Sequence, residues 1–106
     1  MAQIETVLFI PLADNEGLPF SQPDWNQLHA RLALAGNGST RRGPHAGSWL
    51  GSDGILYSEP VFEFEVAIES WFALPVFLET VTWAQGHFRQ LAMHFKVAGI
   101  HENYPR

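Results

Sequence analysis

An α+β domain with the element order β-α-β-β-α-β is predicted by three features of the sequence: an apolar run near its start, two amphipathic helical stretches, and two alternating strands that flank the second of these. Thr6-Val7-Leu8-Phe9-Ile10-Pro11-Leu12 is β-branched, aromatic and apolar throughout, as a strand buried on both faces must be, so it is placed at the sheet centre. Ala13 to Gln22 holds Asp14-Asn15-Glu16-Gly17 and two prolines, which makes it a loop, and Ser21 or Asp24 can cap the helix that follows. From Asp24 to Ala35, the residues Trp25, Leu28, Leu32 and Ala35 recur at helical spacing. Gly36-Asn37-Gly38 then ends the helix with residues that tolerate positive φ.

The stretch from Ser39 to Leu56 is glycine-rich, and Ser52-Asp53-Gly54 reads as a hairpin turn between a second and a third strand. After Glu59-Pro60 the alternation is clean: Phe62, Phe64, Val66 and Ile68 share one face, while Glu63 and Glu65 share the other. Pro75 suits the first turn of a second helix, whose apolar stripe is Phe77, Leu78, Val81, Ala84 and Phe88. Leu91, Met93, Phe95 and Val97 alternate with Ala92, His94, Lys96 and Ala98 in a last strand, and His101 to Arg106 is expected to be a polar tail. This is the ferredoxin-like plan, a four-stranded antiparallel sheet in the order 4-1-3-2 with two helices on one face.

The 106 residues allow one domain, with roughly two thirds of the unfolded surface buried. A net charge of −5 and only six Lys and Arg argue against nucleic acid as a partner, because phosphate neutralisation needs several spread basic contacts. The absence of cysteine removes disulfides, thiolate catalysis and most structural zinc sites. The start of the chain has no basic segment, and its apolar run stops at Pro11, so neither a signal peptide nor a membrane span is expected and the protein is read as cytoplasmic.

Chemistry-bearing residues converge on the sheet face away from the helices. Glu63, Glu65, His94 and Lys96 fall there with Val7 and Phe9, a mixture of carboxylates, imidazole and ammonium around apolar residues that suits a general base or a ligand anchor. His94, Glu63 and Glu65 are the candidate catalytic residues, and Phe9, Lys96, Trp49, Arg41 and Arg42 the candidate ligand contacts. Glu63 and His94 are expected about 10 Å apart, two strand spacings across the central strand. Cross-strand charge pairing on a solvated or subunit-facing sheet accounts for the same pattern.

His87, His94 and His101 recur every seven residues, yet they span a helix end, a strand and a tail and do not converge as metal ligands, so no metal is expected. The segment Gly36 to Gly43 has glycines, hydroxyls and the pair Arg41-Arg42 but follows a helix instead of opening one, so it reads as a helix cap followed by a bulged edge strand, with an anion site as the sharper alternative. No serine has the setting of a nucleophile, and no cofactor motif occurs.

The Asp14-Asn15-Glu16-Gly17 loop with the Trp25 helix, the Gly47-Ser48-Trp49 and Asp53-Gly54 hairpin followed by Glu59-Pro60, and Gly86-His87-Phe88-Arg89-Gln90 together resemble a group of small bacterial and phage domains of unknown function. The resemblance implies a ferredoxin-like fold over nearly the whole chain and no particular activity.

Eight Phe, four Trp and two Tyr are many rings for so small a core, and the open sheet face is the natural place for the excess. The leading expectation is a homodimer that packs through this face and leaves a small-molecule cleft at its margin. Two alternatives stand beside it. One is a cofactor-independent enzyme, monooxygenase- or isomerase-like, with His94 as base and Glu63 or Glu65 orienting the substrate. The other is a regulatory or protein-interaction module that uses Val76, Trp83 and His87.

Overall fold

The computed structural model describes residues 3–98 and 100–105, with Trp49 and residues 100–105 described as backbone only. The strands are β1 (Ile4–Pro11), β2 (Thr40–Leu50), β3 (Leu56–Ile68), β4 (Ala92–Val97) and β5 (Ile100–Pro105), and the helices are α1 (Gln22–Gly36) and α2 (Leu74–His87). All strand pairs are antiparallel and the order is β2-β3-β1-β4-β5. The first four strands and two helices thus form the ferredoxin-like plan expected from the sequence.

The expected polar tail is instead a fifth strand, with Ala92 opposite Pro105 and Val97 opposite Ile100. An edge strand of this kind is held by backbone hydrogen bonds, which polar residues supply as well as apolar ones. Its sequence therefore carries no hydrophobic signature.

β1 is paired on both sides, and its parity sorts the residues of the whole sheet. Leu8 lies between Phe64 and Phe95, and Thr6 between Val66 and Val97, on the face that the helices cover. Val7 and Phe9 point to the other, open face. Thr6 is fully buried, and its hydroxyl donates to the Val66 carbonyl at 2.7 Å, so the one polar side chain of this row is satisfied.

Helix α1 begins where its capping chemistry dictates. The Ser21 backbone N–H donates to Asp24 Oδ2 at 2.9 Å while the Asp24 N–H donates to Ser21 Oγ at 3.4 Å, a reciprocal capping box. Its other end is closed by Asn37 at φ 63°. Trp25, Leu28, Leu32 and Ala35 are the residues it buries, as the spacing predicts. The last turn comes close to β3 at Gly36, where a Cβ would run into Val66 Cγ1 and stand 2.7 Å from the Ala67 carbonyl oxygen. Helix α2 follows a single 3-10 turn, Trp71–Ala73, whose N-cap is Ser70, and it buries Phe77, Val81 and Ala84.

Among the described side chains, most rings lie between helices and sheet rather than on the open face. Trp25 meets Phe62 edge-on at 5.2 Å and stacks on Phe64 at 5.7 Å and Phe88 at 5.2 Å, while Phe20 from the β1–α1 loop caps Phe88 at 4.8 Å. Trp83 stacks on His87 at 4.6 Å, and the Arg31 guanidinium lies over it at 4.7 Å. The stripe of Val76, Trp83 and His87 is thus engaged within the molecule: Val76 and Trp83 pack on the core, and His87 Nε2 lies 2.9 Å from Asp24 Oδ1. Large apolar side chains remain exposed elsewhere, at the β2–β3 hairpin end (Leu50, Ile55, Leu56) and on the turn before α2 (Trp71, Phe72). No helix among the described residues is long and apolar enough to cross a membrane.

Two groups of α1 tie stability to acid. His29, bonded to Ser39 Oγ at 2.7 Å, is held below its ordinary value of 6.5 by burial and then by Arg41. Asp24 is held below 3.8, first by the Ser21 hydrogen bonds and then by His87. In both cases the unfolded chain binds the proton more readily, so stability is present at neutral pH and lost on acidification. Thermal melts from pH 8 to pH 3 are expected to show a first loss as the pH falls below about 6.5, absent in His29→Gln. A second loss is expected below about pH 4. Ser21→Ala should cost about 1 kcal/mol near neutrality and weaken that second loss.

Candidate functional site

The open face of the sheet holds a cleft of about 570 Å³ at the Pro11 end of β1. Phe9 and Pro11 of β1, Val61 and Glu63 of β3, and Ala92 and His94 of β4 line it, with His45 to Ser48 of β2 on one side and Gln90 on the other. The surface of the cleft is mostly apolar, and the polar groups of Glu63, His45, His94, Gln90 and Ser48 are set into it, which is the usual make-up of a small-molecule site.

Strand register explains why Glu63 and His94 are here. Both face Phe9, Glu63 from β3 and His94 from β4, so the three form one row across the open face. The two polar residues stand two strand spacings apart, about 10 Å, with the phenyl ring between them. A ligand can bridge that distance, whereas a direct hydrogen bond cannot.

His45 reaches the cleft through a bulge. Arg42 and His45 are three apart, so a regular strand would send them to opposite faces. Instead Arg42 pairs with Glu63 and His45 with Val61, which leaves one extra residue in β2 between them and returns His45 to the open face. Gly43 makes this possible at φ 102°, where a Cβ would sit 2.9 Å from the His45 backbone nitrogen. The His45 Nε2 then lies 3.3 Å from Glu63 Oε2. The edge strand is bulged as the glycine-rich sequence suggests, but from sequence His45 reads only as a loop residue, solvated or locally hydrogen-bonded. The signal that could have found it is the Gly43-Pro44 pair inside a strand.

The opposite wall is fastened from the helix side. Arg89 pairs with Asp14 at 3.1 Å, and Asn15 Nδ2 donates to the Arg89 carbonyl at 3.4 Å, joining the β1–α1 loop to the α2–β4 turn. Asp14 is itself fixed by accepting from the backbone N–H groups of Glu16 and Leu18. Gln90 is buried, with Nε2 donating to the Phe88 carbonyl at 2.8 Å, and the Gln85 amide donates to the Leu91 carbonyl at 3.3 Å. The edge of the cleft at Gln90 and Ala92 is thereby held by the same turn that the sequence marks as Gly86 to Gln90.

The other sequence candidates fall outside the cleft lining. Glu65 is paired with Arg42 at 3.4 Å in the next row of the open face, opposite Val7. Lys96 lies in that row too, with Nζ 5.6 Å from the centre of the Phe9 ring. Val7 is nonetheless buried, flanked in register by Glu65 and Lys96, whose methylene stems suit the covering of such a position. Arg41 and Arg42, adjacent on a strand, diverge: Arg41 packs over the Phe62 ring at 4.6 Å on the helix-covered face, so the two form no joint anion site. The Trp49 side chain lies outside the described residues, and its backbone pairs with Tyr57 along the hairpin arm. His87 and His94 are on opposite sides of the sheet, and the His101 side chain lies outside the described residues. Beyond the lining, burial holds the Glu59 carboxyl above its ordinary range.

No protein-family model matches the chain, and no curated protein matches it in sequence. Among solved structures it is similar to a phage SAM lyase in complex with S-methyl-5'-thioadenosine, with a TM-score of 0.69 and 11% identity over 99% of this chain and 89% of that one. The phage SAM lyase in its apo state gives a TM-score of 0.68 and 11% identity over 97% of this chain and 89% of the other. At this identity the likeness shows a shared fold.

Proposed function

We propose that this chain binds a small molecule in the open-face cleft, and that it is a lyase acting on S-adenosylmethionine. The observation that carries the reading is the cleft itself: about 570 Å³ of mostly apolar space with Glu63, His45 and His94 converging on Phe9. That volume is within the range of sites for molecules of this size. A phenyl ring offers a stacking surface to a purine, and a carboxylate offers compensation to a sulfonium charge. The similarity to a phage SAM lyase supports the choice of ligand.

A lyase breaks its bond without water or an oxidant and asks of the protein positioning, charge stabilisation and at most a general base. His94 is the proposed base: it takes a Cβ proton from the amino-acid chain as the S–Cγ bond breaks, the bonding pair leaving with sulfur as S-methyl-5'-thioadenosine and the four-carbon fragment leaving as an unsaturated amino acid, with Glu63 across the phenyl ring orienting the substrate. Incubation with S-adenosylmethionine is expected to release S-methyl-5'-thioadenosine, measured by liquid chromatography. His94→Ala should lower the rate by about a hundredfold or more while keeping the fold by circular dichroism. The absence of both product and thermal stabilisation by S-adenosylmethionine would contradict the reading.

Self-association is a second proposal, favoured by the exposed Leu50, Ile55 and Leu56 at the hairpin end and by Phe72, which is 94% exposed. Sedimentation equilibrium at micromolar concentration is expected to show a homodimer, and a clean monomer would rule it out.

A further inference from the structure

The cleft lining contains one carboxylate, Glu63, and neither lysine nor arginine among the described residues. A phosphate-bearing ligand would meet no permanent cation there and one anion, so the site is built for an uncharged or a cationic molecule. The Glu63 side chain is 22% exposed and faces His45 Nε2 at 3.3 Å, while the His45 side chain is 55% exposed. A half-exposed ring at the edge of a bulge gives up such a contact at small cost. Arg42 is the cross-strand neighbour of Glu63 on β2, but its guanidinium is engaged by Glu65 at 3.4 Å in the next row, where Lys96 also stands, its Nζ 5.6 Å from the centre of the Phe9 ring.

We propose that Glu63 is the charge-reading group of the cleft and His45 its displaceable counter-group: a monocationic ligand centre of the sulfonium or quaternary ammonium class takes the place of the imidazole against the Glu63 carboxylate, beside the Phe9 ring. Such a centre has no N–H to donate, so it is recognised by charge and by an aromatic surface rather than by directional hydrogen bonds. An anion at the edge of an apolar cleft next to a phenyl ring supplies both. The inference rests on the reading of this cleft as an S-adenosylmethionine site and adds which residues sense the sulfonium.

The test compares two probes that differ by one methyl group and one charge, S-adenosylmethionine and S-adenosylhomocysteine, by isothermal titration calorimetry. Glu63→Gln is expected to weaken the sulfonium about tenfold or more and to leave the neutral thioether within about twofold. Glu63→Asp should retain part of the preference. His45→Ala is expected to strengthen the sulfonium several-fold with no change for the thioether. Equal effects of Glu63→Gln on both probes, or a sulfonium preference that survives it, would overturn the assignment while leaving the cleft as the binding site. If the wild-type protein binds neither probe, the assignment falls together with the proposed function. Should Glu63→Gln fail to fold, His45→Ala decides: an unchanged ratio of the two affinities overturns the proposal.

Discussion

Two-sided pairing of β1 governs what meets what in this molecule. Because both neighbours run antiparallel to it and in register, each β1 residue from Thr6 to Phe9 faces one partner on β3 and another on β4. One parity assembles Leu8, Phe64 and Phe95 under the helices. The other assembles Glu63, Phe9 and His94 on the open face. A slip of one residue would send the carboxylates into the core and the phenylalanines to solvent, so core packing specifies the polar row as strictly as it specifies the apolar one. The cleft is a consequence of burial on the opposite side of the sheet.

What was legible in the sequence follows this logic. The Trp25, Leu28, Leu32 and Ala35 spacing and the Phe62 to Ile68 alternation are direct imprints of burial, and the structure buries α1 and most of the β3 face as they require. Glu63 and His94 were legible for the same reason, since they occupy the positions that the burial pattern leaves over. His45 was not. Its face depends on the extra residue beside Gly43, and a bulge reverses parity without altering composition. Strand β5 escaped because backbone pairing leaves no apolar period, and the destination of the aromatic rings escaped because Phe20 joins the core from a loop.

The two walls of the cleft differ in how they are held. Gln90 and Ala92 follow a turn that Asp14 and Asn15 fasten to the β1–α1 loop and whose start at His87 is bridged to Asp24. His45 stands on an edge strand, partly in solvent, and is held toward Glu63 by one contact at 3.3 Å. A firm wall on one side and an adjustable group on the other give a site that can position a ligand against Phe9 and still admit it. Glu63, the one carboxylate of the described lining, whose cross-strand neighbour Arg42 is engaged by Glu65, sets the sign of the charge that such a site welcomes.

Binding of the ligand in the open-face cleft is the premise of the site's chemistry, and backbone amide chemical-shift mapping during titration with S-adenosylmethionine addresses it most directly. That premise predicts saturable shifts concentrated at Phe9, His45 to Ser48, Val61, Glu63, Gln90, Ala92 and His94. Shifts confined to α1 and α2, with this row unmoved, would contradict it.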